Sequence, residues 1–254
     1  MCEPYILGSN SSRIFPNIQC EIIRSDHIYE LKSGVVIGKF TPTEAKFKCA
    51  ILYCMGNEDS LYKRDIYNRY PLQVLLQSIA DRIGVTVYTF NYRSDHDEPI
   101  YVPTVLDHSE EVLHHVRNDS GCSKVIGIGH SIGCSFILYL ASKSTCFTQL
   151  LLFAPIYSLV SAAWYLTTAL TCIFPFSCGP CQIHSLNNSE YAAKCNCKNV
   201  SIFVGSHDTL VRAYFSNALL SHFPDSTSKF YIILPNKTHS TVVSVDEIAA
   251  SLTD

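Results

Sequence analysis

The pattern of hydrophobic and polar residues divides the chain into two unequal parts. Short segments of β-like character, separated by turn residues, come first and predict antiparallel edge strands over residues 20–24, 27–31 and 35–40. Further along the chain, apolar runs alternate with amphipathic stretches of helical period. This alternation predicts βαβ units with right-handed crossovers, and therefore an α/β fold with a mainly parallel central sheet flanked by helices.

The remaining elements follow from the same periodicities. Strands are predicted over residues 49–53, 85–91, 124–128, 150–153, 200–204 and 230–234. Helices are predicted over residues 64–83, 105–116, 132–143, 211–222 and 243–252. A chain of 254 residues fits a single α/β domain over residues 1–254. Within it, we expect a cap-like insert over residues 156–198, after the sixth strand.

Composition and charge narrow the choice of partner. The chain is 47% hydrophobic and 16% charged, with a formal net charge of -3, so it can bury a large core but has no general attraction for nucleic acid. We therefore expect no nucleic-acid partner and favour a small-molecule or acyl substrate. The first residues, Met1 to Tyr5, show no basic region followed by an apolar stretch, which predicts a cytoplasmic location.

A Gly-His-Ser-Ile-Gly pentapeptide at residues 129–133 closes a predicted strand and opens a predicted helix. A strand that reverses into a helix so sharply forces the central residue into a strained backbone conformation, and the glycines leave room for the close approach. This makes Ser131 a candidate nucleophile, and it places the Ile132 amide at a helix start, where it can stabilise an oxyanion. The alternative is an ordinary strand-to-helix turn around a buried serine.

A nucleophilic serine needs a base and a carboxylate that orients the base. Asp208 and His239 each follow a predicted strand directly, and the chain order Ser, Asp, His is that of α/β hydrolases. Asp208 could instead cap the helix after it, and His239 could be a solvated loop residue. His207 and His222 are rival bases, but His207 directly precedes the acid and would face differently in the loop, so we favour His239.

The second oxyanion donor is expected in the loop after the strand at residues 49–53. Gly56 lets the backbone approach a substrate there, and the Asn57 amide is the predicted donor. A simple β-turn built on Gly56 and Asn57 is the alternative.

Over about residues 28–252, these features resemble the α/β-hydrolase fold, and more narrowly its serine hydrolases of the protein depalmitoylase branch. Besides the pentapeptide, the resemblance depends on four short segments: Ser33-Gly34-Val35, Met55-Gly56-Asn57, Asn91-Tyr92-Arg93 and Ala154-Pro155. Relatives carry histidine where this chain has Met55.

The resemblance implies a role for each candidate residue. Ser131 would be the nucleophile, Asp208 the acid and His239 the base, with backbone amides of Ile132 and Asn57 as oxyanion donors, helped by Glu58. It further implies hydrolysis of esters or thioesters through an acyl-enzyme, including palmitoyl thioesters on an acylated protein. No metal and no organic cofactor would be required. The alternatives are a non-catalytic binding or scaffold protein and a serine peptidase.

The predicted insert is unusual in its composition. No Asp, Glu, Lys or Arg occurs over residues 144–189, and residues 159–176 are strongly apolar. Threonines interrupt that stretch and prolines bound it, which disfavours a membrane span. A cap helix over the active site fits better, either as an apolar lid that takes an acyl chain or contacts a bilayer peripherally, or as ordinary packing.

Four cysteines accompany the insert: Cys178, Cys181, Cys195 and Cys197. They could bind zinc, but the single residue between Cys195 and Cys197 is shorter than zinc sites prefer. A Cys-Gly-Pro-Cys redox motif would need a thioredoxin-like strand and helix around it, which the sequence does not predict. Unliganded cysteines are therefore the favoured interpretation.

Overall fold

The fold is an α/β sandwich built on one eight-stranded sheet. The structure is a computed structural model that describes residues 28–57, 59–67, 69–92, 102–157 and 186–252. The strands are β1 (Ile28–Glu30), β2 (Val36–Phe40), β3 (Ala50–Cys54), β4 (Thr86–Phe90), β5 (Val125–His130), β6 (Phe147–Phe153), β7 (Asn199–Gly205) and β8 (Ser228–Leu234). The helices are α1 (Pro71–Ile83), α2 (Val102–Ser120), α3 (Gly133–Lys143), α4 (Asn188–Ala193), α5 (Ala213–Leu220) and α6 (Val245–Leu252).

The strand order is β1-β2-β4-β3-β5-β6-β7-β8. β1 pairs with β2, and β2 with β4, in antiparallel fashion, whereas every later pair is parallel. The predicted antiparallel edge and the mainly parallel sheet are thus confirmed. Because parallel strands share one direction, the carboxyl ends of β3, β5, β7 and β8 lie along one edge of the sheet.

The central strands are buried on both faces. Every residue of β3 and β5 is buried, which is typical of parallel strands covered by helices on each side. Helix α1 packs against α6, while α3 packs against α2 and α4. Within the parts of the chain that the structure describes, no helix has both the length and the apolar character needed to cross a membrane.

The start of the first helix was predicted wrongly. α1 begins at Pro71 instead of residue 64, and it ends at Ile83, followed by Gly84 as its C-cap with a left-handed φ of 77°. Proline is well tolerated in the first helical turn but disfavours helical backbone in the residue before it, so Tyr70 stays outside the helix. The side chain of Asp65 instead accepts hydrogen bonds from the backbone amides of Tyr67 and Arg69, which holds this segment as a loop.

Smaller differences concern the other boundaries. α2 runs over Val102–Ser120 and is longer than predicted, β6 starts at Phe147, and the short helix α4 was not predicted. The strand predicted at residues 20–24 and most of the predicted cap-like insert lie outside the described residues.

Candidate active site

Ser131 stands at the sharp turn between β5 and α3. Its φ is +54°, so the strained conformation predicted for this residue is confirmed. A Cβ on Gly129 would lie 2.6 Å from the Cys134 Cα, and a Cβ on Gly133 would lie 2.1 Å from the Cys54 carbonyl oxygen. Neither position leaves space for a side chain, and the two glycines are what allow the turn to close.

The structure brings the three residues predicted as nucleophile, base and acid into one hydrogen-bonded series. His239 Nε2 lies 2.9 Å from Ser131 Oγ, and His239 Nδ1 lies 2.8 Å from Asp208 Oδ2. Because the carboxylate only accepts, Nδ1 carries the proton, which leaves Nε2 as the acceptor of the serine hydroxyl proton. The arrangement is that of a serine nucleophile poised beside its base.

Asp208 is held rigidly behind the imidazole. Its side chain is fully buried, and Oδ1 accepts hydrogen bonds from the backbone amides of Leu210 and Val211 at 2.9 and 2.8 Å. The second oxygen, Oδ2, is thereby directed at His239. The helix-capping alternative is wrong, because the following helix begins at Ala213 with Arg212 as its N-cap residue. Asp208 instead holds the turn before that helix and contacts the histidine at the same time.

The loops that carry the acid and the base are joined by their backbones. The Ser206 amide donates to the Leu234 carbonyl and the His207 amide to the Lys237 carbonyl, each at 2.9 Å. A Cβ on Gly205 would lie only 2.3 Å from the Lys237 carbonyl oxygen. Gly205 had no assigned role from the sequence, although a glycine at the end of a strand is a signal for such a close approach.

The loop after β3 lies against the start of α3, as the predicted oxyanion role of Asn57 requires. A Cβ on Gly133 would come within 2.5 Å of the Met55 carbonyl oxygen, and the Tyr92 hydroxyl donates to that same oxygen at 2.8 Å. The Ile132 amide follows the serine directly at the start of α3. Glu58, expected to assist, lies outside the described residues.

The site contains a second histidine, His130, which sequence reasoning missed. His130 Nε2 lies 2.9 Å from the His239 carbonyl oxygen, and His130 Nδ1 faces Asp59 Oδ2 at 3.6 Å. Burial alone would raise the pKa of the Asp59 carboxyl, but the facing His130 ring and the Gly56 amide lower that pKa more strongly, and the net direction is down. His130 lies inside the Gly-His-Ser-Ile-Gly pentapeptide, and its position directly before Ser131 is the signal that could have identified it.

Neither rival base is hydrogen-bonded to Ser131. His222 Nε2 pairs with the Tyr157 hydroxyl at 2.9 Å, and His207 is exposed. Two buried cysteines lie close to the turn, Cys54 at the end of β3 and Cys134 in α3, and burial strongly raises the pKa of both thiols. These two thiols stay neutral, and neutral thiols are poor nucleophiles.

Two of the four cysteines that accompany the insert, Cys195 and Cys197, lie among the described residues. Cys195 and Cys197 are buried, and burial raises the pKa of the Cys195 thiol to about 11. Over the described residues, no group of three or more His, Cys, Asp or Glu side chains is arranged to hold a metal ion. Cys178 and Cys181 lie outside those residues, so the interpretation of all four cysteines stays a prediction.

Known structures share this architecture, although sequence comparison finds nothing. No protein-family model matches the chain, and no curated protein matches it significantly. Est1E from Butyrivibrio proteoclasticus superposes with a TM-score of 0.65 at 14% identity, covering 88% of this chain and 94% of that one. An alpha-beta serine hydrolase homologue from Coxiella burnetii gives a TM-score of 0.60 at 12% identity, covering 91% and 97%.

The chain has the α/β-hydrolase fold.

A puromycin-hydrolyzing peptidase from Mycobacterium tuberculosis is also similar, with a TM-score of 0.59 at 16% identity. The match covers 86% of this chain but 36% of the peptidase, so this chain corresponds to about a third of that protein. The α/β-hydrolase fold supports many chemistries, and these likenesses show the fold alone. They do not confirm the depalmitoylase branch.

Proposed function

We propose that this protein is a serine hydrolase that cleaves carboxylic esters or thioesters through an acyl-enzyme. The observation that carries the proposal is the unbroken hydrogen-bonded series from the Ser131 hydroxyl through His239 to Asp208. A strained serine at the carboxyl edge of a parallel sheet is where this fold places its chemistry.

Acylation would begin at the Ser131 hydroxyl. His239 Nε2 takes the hydroxyl proton as Oγ attacks the carbonyl carbon, and Asp208 stabilises the imidazolium that forms. The backbone amides of Ile132 and Asn57 stabilise the negative oxygen of the tetrahedral intermediate, aided by the amino end of α3. The imidazolium then protonates the leaving alcohol or thiol, which departs and leaves an acyl group on Ser131.

Deacylation would run through the same groups in reverse. His239 Nε2 removes a proton from water, the resulting hydroxide attacks the acyl carbon, and a second tetrahedral intermediate forms. Its collapse returns the proton to Ser131 Oγ and releases the carboxylic acid. No metal or organic cofactor takes part in this scheme.

The proposed substrates are acyl esters and thioesters, including those of acylated proteins. Leu210 and Tyr214 follow Asp208 closely and are 51% and 61% exposed, which offers apolar surface beside the acid. The uncharged sequence over residues 144–189 is a second stretch of low polarity in the chain. Among the structural neighbours, one is described as a puromycin-hydrolyzing peptidase and another as Est1E with bound ferulic acid.

A fluorophosphonate probe tests the mechanism, and graded substrates test the class. We expect labelling of the wild type that is lost in Ser131→Ala, together with faster hydrolysis of longer p-nitrophenyl esters and fluorogenic thioesters than of acetyl ones. Activity confined to acetyl groups would overturn the acyl-chain proposal. Faster cleavage of peptide amides would favour a peptidase, and folded wild type that is never labelled would favour a non-catalytic scaffold.

A further inference from the structure

His130 contacts the loop that carries the base. The His239 carbonyl oxygen can only accept, so His130 Nε2 carries a proton and donates it across 2.9 Å. The two imidazole rings lie 5.2 Å apart between centroids. A single side chain from the end of β5 thus holds the backbone of the residue whose ring faces Ser131.

The other side of the same ring faces the loop after β3. His130 Nδ1 lies 3.6 Å from Asp59 Oδ2, and that oxygen accepts the Gly56 amide hydrogen at 3.2 Å. A Cβ on Gly56 would lie 2.9 Å from His130 Nδ1 and 3.2 Å from Asp59 Oδ2. Gly56 therefore packs directly on the contact between the two side chains, one residue before Asn57.

The His130 ring is well suited to hold these two loops at a fixed separation. The residue is 8% exposed, so its ring is largely shielded from water. Its backbone belongs to β5, which pairs with β3 on one side and β6 on the other and is therefore a rigid support. A group on such a support can set the distance between the base loop and the loop of the predicted oxyanion donor.

We propose that His130 is a positioning residue that keeps the His239 base and the loop around Gly56 in register for the reaction of Ser131. The inference rests on the proposed hydrolase function and adds a residue to it. Reacting groups that shift by about 1 Å can lose about a hundredfold in rate. Loss of the His130 donor should therefore slow the chemical step and leave substrate binding nearly unchanged.

The test compares two amides that differ by one methylene group. In His130→Gln, the amide nitrogen reaches the position of Nε2 and can still donate to the His239 carbonyl oxygen. In His130→Asn, it reaches only as far as Nδ1. We expect kcat for a p-nitrophenyl ester to fall about ten- to a hundredfold in H130N with KM within about threefold, and H130Q to stay within about threefold of wild type.

A histidine in a similar bond elsewhere provides the matched control. On helix α2, His115 Nε2 lies 2.7 Å from the Tyr29 hydroxyl, and His115→Asn should leave both kcat and KM unchanged. Thermal unfolding checks that each variant is folded, and His130→Ala replaces H130N if the latter is not. We expect the same loss of kcat in H130A.

The outcomes separate this inference from the proposed function. The positioning role would be overturned if the wild type is labelled and active and both H130N and H130Q have a kcat close to that of the wild type. A change in KM alone, without a change in kcat, would also overturn it. Equal losses of kcat in the two variants would also overturn it, because the hydrogen-bond donor retained in H130Q would then have no effect on the reaction. If the wild type itself neither hydrolyses the ester nor takes the fluorophosphonate, the hydrolase proposal fails, and this inference fails with it.

Discussion

Among the residues that the structure describes, two hydrogen-bonded clusters combine hydroxyl, imidazole and carboxylate groups, and they differ in the backbone that presents them. The first, here called the edge cluster, lies between the antiparallel strands and helix α2. The Tyr29 hydroxyl meets His115 at 2.7 Å, while Asp119 accepts from the Tyr88 hydroxyl at 2.6 Å and pairs with Lys39 at 2.7 Å. The second cluster is the series formed by Ser131, His239 and Asp208.

The difference lies in the backbone more than in the residue types. Members of the edge cluster stand on regular strands and on a helix, and a lysine satisfies the carboxylate of Asp119. The residues of the second cluster stand on turns beyond three strand ends, with a strained serine at φ +54° and close backbone contacts at glycines. A hydroxyl beside a histidine becomes a candidate nucleophile when the fold presents it at the ligand-binding edge of the sheet.

The largest effect is expected at the nucleophile. Ser131→Ala removes the attacking oxygen and should lower kcat for ester hydrolysis by about 10⁴-fold or more, since members of such a triad act as a unit. Steady-state kinetics with p-nitrophenyl esters measure this. Tyr29→Phe removes a hydroxyl from the edge cluster and should leave kcat unchanged. Equal effects of the two variants would erase the distinction between the clusters.

Asp208→Asn should produce the next largest loss. The carboxamide introduced by this substitution would keep an acceptor for the amides of Leu210 and Val211, but it no longer provides the carboxylate that orients and stabilises the His239 imidazolium. We expect kcat to fall about 10³- to 10⁴-fold with the protein still folded. Asp119→Asn, in the edge cluster, is the matched control and should not alter kcat. A D208N variant with full activity would contradict the role of the acid.

Gly205→Ala tests the contact between the acid and base loops. The new Cβ would meet the Lys237 carbonyl oxygen at 2.3 Å, so the loops must separate. We expect about a hundredfold loss of kcat and about 1–3 kcal/mol of destabilisation. Gly121→Ala is the control, because that site is sterically open although its φ is +62°. It should cost about 1 kcal/mol of stability without a loss of kcat. Unaltered kinetics in G205A would show that the loops tolerate separation.

The smallest effect belongs to the edge cluster and appears in stability at alkaline pH. Burial, followed by the charge of Asp119, raises the pKa of Tyr29 to about 12 from an ordinary value of 10.0. A raised pKa in the folded state means that this stabilisation is complete below pH 10 and is lost as pH rises towards 12. Urea unfolding at about pH 9 and about pH 11.5 should therefore show a smaller alkaline loss in Tyr29→Phe than in wild type. Identical losses of stability in Tyr29→Phe and wild type would contradict the raised pKa of Tyr29.

Much of the fold followed from the sequence, because apolar runs of strand length and amphipathic helical stretches repeat regularly along it. The boundaries were harder to predict. Exposed apolar residues such as Ile66, which is 90% exposed, extended the helical pattern into a loop that Pro71 separates from α1. The short helix α4 lies next to an uncharged stretch with no clear periodicity.

The candidate site was predictable where chemistry is local and unpredictable where it depends on register. The flanking glycines indicate Ser131, and the positions of Asp208 and His239 directly after strands indicate the other two. The contact between His130 and Asp59 depends on the pairing of β3 with β5, in which Cys54 lies opposite Gly129. The periodicity of hydrophobic residues in the sequence does not indicate which side chains such a strand pairing brings together across two loops.

The most direct test of the central claim is to locate the covalent adduct on the folded protein. After brief reaction with a fluorophosphonate, intact-mass measurement and peptide mapping should find one adduct per chain, on the peptide that contains Ser131. His239→Gln should form it far more slowly. An adduct on another residue, or one that persists in Ser131→Ala, would contradict the account.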